Sequence, residues 1–131
     1  MSESWTDVCA FDDLLADRGT AAFVHGTQVA LFRLGDGKLF AIGNHDPVGG
    51  ANVLARGLVG SRGDRPVVFS PLHKQAFDLA TGVCLDADGM AIPTYPIRIR
   101  DGRVEVGPAH GPRPAAPVTA AFPRQPAAGK R

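Results

Sequence analysis

Three things are scarce in this sequence: cysteine, long apolar runs and clustered charge of one sign. Its 131 residues contain two cysteines, Cys9 and Cys84, far apart in the chain. A CxxC-type cluster of four Cys/His metal ligands is therefore excluded, and the expected state of both residues is a buried or free thiol in a reducing cytosol. No stretch approaches the roughly 18 apolar residues that a membrane span requires. The N-terminal MSESWTDV lacks a basic region followed by an apolar one, so no signal peptide and a cytoplasmic location are expected. Net charge is only +1, and it is uneven. Residues 107–131 hold Arg113, Arg124, Lys130 and Arg131 and no acid, which leaves ten bases against thirteen acids in 1–106. A mildly acidic body lacks the Lys/Arg clusters that phosphate contacts need, so neither a nucleic acid nor a membrane is an expected partner.

Turn formers, by contrast, are plentiful, with 16 glycines and 11 prolines. They divide residues 1–106 into short segments that read as β. Ala22–His25 and Gln28–Leu34 flank Gly26-Thr27, and Gly35-Asp36-Gly37 turns the chain into Leu39–Ile42. Arg65–Phe69 and Gln75–Leu79 follow. Tyr95, Ile97 and Ile99 alternate with Pro96, Arg98 and Arg100; after Asp101-Gly102, Val104 and Val106 resume the phase against Arg103 and Glu105. Period-two alternation places Tyr, Ile and Val on a buried face and the arginines in water. Only Phe11–Arg18 has a helical look. The expected fold is all-β, a small antiparallel sandwich or barrel. Residues 107–131, rich in Pro and Ala with the single aromatic Phe122, read as a separate flexible or partly docked tail.

Two Gly/Pro-containing loops stand out, Gly43–Ala51 and Ser70–Gly82. The second carries Pro71, His73, Phe77, Asp78, Thr81 and Gly82, and the first carries Pro47, Gly50 and Ala51 after a hairpin. In these features the sequence resembles the Rieske family, whose boxes read C-P-H-x-G-A and C-P-x-H followed by F-D-x-x-T-G. The resemblance covers residues 4–106 and implies a Rieske-like fold with both loops at a cluster-binding tip.

A Rieske centre uses two thiolates on one iron and two imidazoles on the other. In this frame the first Cys and His positions are Asp46 and Val48, and the second pair is Ser70 and His73. No thiolate is present and one histidine survives, so no cluster is expected in this chain. Cys9 and Cys84 lie outside both loops. His45, Asp46 and His73 offer the residue types of a 2-His-1-carboxylate iron site, which leaves an electron carrier with an atypical iron centre as the alternative. Adjacent residues in an extended loop point opposite ways, however. The plainer expectation is an Asx-type turn at Asp46 before Pro47, with His45 exposed. Ser70 with His73 is not a catalytic triad signature, and Gly49-Gly50 lacks the rest of a phosphate-binding pattern.

Among Rieske relatives without the ligands, the sequence is most similar to the small-subunit family of assimilatory NAD(P)H-dependent nitrite reductase. The resemblance is carried by Trp5-Thr6-Asp7-Val8-Cys9, by Asp46–Gly57 and by Ser70–Phe77. His73 departs from that pattern, where Tyr is common. The resemblance implies an accessory subunit of an oxidoreductase with no catalytic residues of its own. It also implies a large-subunit partner that carries FAD, a [4Fe–4S] cluster and sirohaem and reduces nitrite to ammonium. His45, Asp46, Val48, Ser70, His73 and Lys74 then become vestigial cluster positions and candidate partner-facing residues.

Overall fold

The computed structural model describes residues 5–109. The reading of 107–131 as a tail falls mainly on residues 110–131, which lie outside the described residues. Among the described residues there are twelve strands and no α-helix. In chain order they are β1 (Thr6–Ala10), β2 (Arg18–Val24), β3 (Thr27–Arg33), β4 (Leu39–Gly43), β5 (His45–Asp46), β6 (Ala51–Asn52), β7 (Leu58–Arg62), β8 (Arg65–Phe69), β9 (Ala76–Asp78), β10 (Thr94–Tyr95), β11 (Ile97–Arg100) and β12 (Arg103–Val106).

A four-stranded antiparallel sheet in the order β10-β4-β3-β2 forms the middle layer. Its central strand β3 is the Val-Ala-Leu-Phe run, which is buried on both faces, and period-two alternation sends successive side chains to opposite cores. Val29 and Leu31 join Val24, Ala41, Tyr95, Val104 and Val106 beneath the sheet β1-β12-β11. Ala30 and Phe32 join Ile42, Leu54, Val68, Phe77, Leu79 and Ile92 beneath the sheet β7-β8-β9. Burying such side chains contributes about 1.5–3 kcal/mol each, and the two cores share one sheet.

The hairpins β3–β4 and β11–β12 form as their turns predict. Ile97 pairs with Val106 and Ile99 with Val104. Four details differ from the sequence reading. The helical look of Phe11–Arg18 reduces to a single 3-10 turn at Phe11–Asp13, and Arg18 already opens β2. A three-residue turn cannot nucleate a helix, whereas β2 gains a full ladder with β3. Ile99 is 48 % exposed because it lies on β11, an edge strand, two residues before the turn that closes its hairpin. Arg98 is not simply a solvated charge: its guanidinium lies 4 Å or less from the Trp5 ring centre and its Nε donates to Glu105 at 2.7 Å. Arg103 makes a forked contact with Asp7 across β1 and β12, which ties down the first strand.

Candidate functional site

The two loops leave adjacent parts of the second core and meet at one tip. The first starts from Asn44, which is 2 % exposed. Its amide nitrogen donates to Gln28 Oε1 at 2.9 Å, and its Oδ1 accepts from the Ala55 N–H at 2.7 Å. Its carbonyl accepts from the Leu54 N–H. One buried side chain thus holds both ends of the loop, as the rule that buried polar groups find partners requires. Between those ends β5 and β6 make a miniature hairpin, pairing His45 with Asn52 and Asp46 with Ala51. Gly50 closes it at φ +75°, donating to the Asp46 carbonyl.

The second loop joins β8 to β9. Ser70 N–H donates to the Gln75 carbonyl and Lys74 N–H to the Ser70 carbonyl, both at 2.9 Å. Lys74 holds φ +63°, a left-handed conformation set by this tight turn. The F-D-x-x-T-G stretch has an equally local cause. Asp78, 2 % exposed, accepts from Arg65 Nη1 at 2.5 Å and from the Ala80 and Thr81 N–H groups. Gly82 adopts φ +81°, and a Cβ there would lie 2.1 Å from the Ile92 carbonyl oxygen. Only glycine fits.

The loops are joined by Asp46 and Ser70, which are 0 % and 1 % exposed. Ser70 Oγ donates a short hydrogen bond to Asp46 Oδ2. Asp46 Oδ1 also accepts from the Val48 N–H at 2.8 Å and the Gly49 N–H at 3.1 Å, the expected Asx turn. Ser70 Oγ in turn accepts from the Leu72 N–H at 3.2 Å. Leu72 lies over Gly49, and a Cβ at that glycine would come within 2.4 Å of Leu72 Cδ1. Burial pushes the Asp46 carboxyl up. The Ser70 hydroxyl, the Gly49 and Val48 amides and the nearby His73 together outweigh it and hold the carboxyl below the ordinary 3.8.

The remaining tip positions do not join this pair. Val48 is half-buried and packs on the second core. His45 is exposed, its Nδ1 3.1 Å from Asn52 Oδ1, and His73 and Lys74 are exposed on the second loop. Among the described residues no three His, Cys, Asp or Glu side chains come together as a metal site. The four cluster positions hold a carboxylate, an isopropyl group, a hydroxyl and one imidazole, and the carboxylate and hydroxyl bind each other. That set does not fit a [2Fe–2S] centre of the Rieske type. Cys84 offers no replacement. It is buried, and burial pushes its thiol up, with the Asp86 and Ala87 amides opposing. Among the described residues it joins no group of three His, Cys, Asp or Glu side chains. Cys9 lies on β1 and is raised in the same way, by burial and then by Asp13. The Asp46–Ser70 bond is the feature that sequence reasoning missed. Its partners lie 24 residues apart, and the only signal was that the sequence boxes align both with thiolate positions of the Rieske pattern.

Residues 4–107 match the family model described as a Rieske-like [2Fe-2S] domain. The chain is 38 % identical over 103 residues to the nitrite reductase (NADH) small subunit of Escherichia coli strain K12, covering 78 % of this chain and 95 % of that protein. It is also 39 % identical over 106 residues to a nitrite reductase [NAD(P)H] large subunit from Klebsiella oxytoca. That match covers 81 % of this chain but only 11 % of the much longer relative. Among solved structures, one described as an NADH-dependent nitrite reductase small subunit from Mycobacterium tuberculosis superposes with a TM-score of 0.79 at 47 % identity, covering 82 % of this chain and 97 % of that one. The two loops, their frame and these likenesses agree: the chain belongs to the Rieske-like domain family and, within it, to the nitrite reductase small subunits.

Proposed function

We propose that this chain is the accessory small subunit of an NAD(P)H-dependent nitrite reductase, serving the assimilation of nitrogen from nitrate and nitrite in the cytoplasm. In this reading the large subunit carries FAD, [4Fe–4S] and sirohaem and converts nitrite to ammonium. The small subunit holds no redox group and turns its two-loop tip toward the partner. The observation that supports this most is the hydrogen bond between Asp46 and Ser70 at the two former thiolate positions. It fastens the loops to each other through protein atoms alone, so the tip keeps a fixed shape without iron. Around that fixed centre the exposed Leu72, His73 and Lys74 present an apolar side chain, an imidazole and an ammonium group to a partner. The test is to measure nitrite-dependent NADH oxidation by the large subunit alone and with this chain added. Co-purification and higher activity of the pair are expected. Unchanged activity, with no association between the two, would overturn the proposal.

A further inference from the structure

We infer that residues 71–75 form a lid, hinged at Lys74, that closes over the Asp46–Ser70 pair and opens as one unit while the pair itself stays joined. Pro71, Leu72, His73 and Lys74 are all exposed, whereas Ser70 before them and Ala76 after Gln75 are buried. The segment therefore has two fixed ends and a free middle.

Little holds it shut. Leu72 N–H donates to Ser70 Oγ at 3.2 Å, at the long end of the hydrogen-bond range. At the base, Ser70 N–H donates to the Gln75 carbonyl and Lys74 N–H to the Ser70 carbonyl. The seal is the Leu72 side chain lying over Gly49. Gly50 has a positive φ, but Gly49 does not, so no left-handed turn calls for glycine at position 49. A Cβ there would run into Leu72 Cδ1. The absent side chain at position 49 makes room for the leucine.

Two features oppose closure, and they fall on consecutive residues. Lys74 holds φ +63°, in a region that costs every residue with a Cβ and is taken up mainly by glycine, asparagine and aspartate. Beside it Gln75 Oε1 is buried with no hydrogen-bond donor, one of two such side-chain atoms among the described residues. A buried acceptor of this kind has given up its hydration for nothing. Opening the lid returns Lys74 to the common backbone regions and admits water to the Gln75 amide. Strained backbone is characteristic of segments that switch between conformations.

The centre beneath is built differently. Asp46 is held by the Ser70 hydroxyl and by the Val48 and Gly49 amides, none of which belongs to the lid. Opening thus uncovers a carboxylate and a hydroxyl that remain bonded to each other. The tip has two outer shapes on one inner frame, and a molecule that prefers one of them shifts the population toward it.

Native-state hydrogen exchange on the full chain tests this, at a pH where exchange reports the opening equilibrium. The Ser70, Leu72 and Lys74 amides are expected to share one opening constant, larger than that of the Val48 and Gly49 amides. Lys74→Gly removes the left-handed strain and Gln75→Met removes the unpaired amide, and each should lower the shared constant at least about threefold. Gly49→Ala wedges against Leu72 and should raise it by about the same factor. Amides of β3 followed in every variant separate a change in global stability from a change in the lid. Lid amides that exchange independently of one another, or only together with Val48 and Gly49, would overturn the inference. So would a shared constant that Lys74→Gly and Gln75→Met leave unchanged, or a Gly49→Ala variant whose lid amides exchange as in the wild type.

Discussion

The Ser70 hydroxyl donates to the Asp46 carboxylate, joining the two loops at the residues that the sequence boxes align with the two thiolates of a Rieske protein. A cluster cross-links those loops through iron; here a charge-assisted hydrogen bond does so within a site closed to water. The substitution of ligands is therefore paired: a carboxylate alone at position 46 would be a buried charge, and Ser70 with two loop amides satisfies it.

Removing either partner leaves the other buried and under-satisfied. Ser70→Ala is expected to lower the unfolding free energy by about 1.5–3 kcal/mol, the range for hydrogen bonds to charged groups. Asp46→Ala is expected to cost more, because the Val48 and Gly49 amides lose their acceptor too. A double-mutant cycle in urea should return a coupling energy of about 1 kcal/mol or more between the two sites. Strictly additive losses would show that the bond contributes nothing to stability.

Acid should unlock the same pair. The folded Asp46 carboxyl lies below its unfolded value of 3.8. Between those two values the unfolded chain binds more protons, so stability rises with pH there. The contribution is fully present above the unfolded value and is lost as pH falls through the folded one. Asp46→Asn removes the titrating group. The stability gap between wild type and variant should therefore narrow as urea unfolding is repeated from about pH 5 down to pH 2. Asp86, also held low against burial by Arg62 and the Ala76 amide, titrates in both proteins and does not affect the difference. Parallel curves would contradict the assignment.

Two glycines with nearly the same φ give a matched comparison. Gly82 (φ +81°) faces the Ile92 carbonyl, whereas Gly26 (φ +78°) has open space where a Cβ would go. Gly26→Ala adds only left-handed strain, about 1 kcal/mol. Gly82→Ala adds that strain and a clash with backbone, and should cost at least about 1–2 kcal/mol beyond it. Thermal melts of the two variants check the ordering, and equal shifts would mean that the β9–β10 connection yields easily.

Much of this was legible in the sequence because its causes are local. The β3–β4 and β11–β12 hairpins follow from turn residues between apolar segments, and the F-D-x-x-T-G turn follows from Asp78 accepting from amides two and three residues on. The Asx turn at Asp46 has the same short range. What escaped the sequence reading is long-range. β1 is held by β12 across the whole domain, and Arg98 rests on Trp5. β7, Leu-Val-Gly-Ser-Arg, is too weakly patterned to stand out and exists because β8 pairs with it.

If the ligand-loss frame is right, restoring the ligands should restore the centre. The triple variant Asp46→Cys, Val48→His and Ser70→Cys, with His73 kept, supplies two thiolates and two imidazoles at the aligned positions. The side chains of residues 46 and 70 already touch, so the two thiolates would be near neighbours, as ligands of one iron must be. His73 is exposed on the second loop, and Val48 is half-buried on the first, so imidazoles at both positions lie on the tip. Anaerobic reconstitution with iron and sulfide should give the variant about two irons per chain and the visible absorption of a [2Fe–2S] centre. The wild-type chain treated in parallel should stay colourless. A folded variant that takes up no iron would show that the loops have changed shape as well as ligands. Stoichiometric iron in the wild type would instead revive the carrier reading through His73 and Asp46.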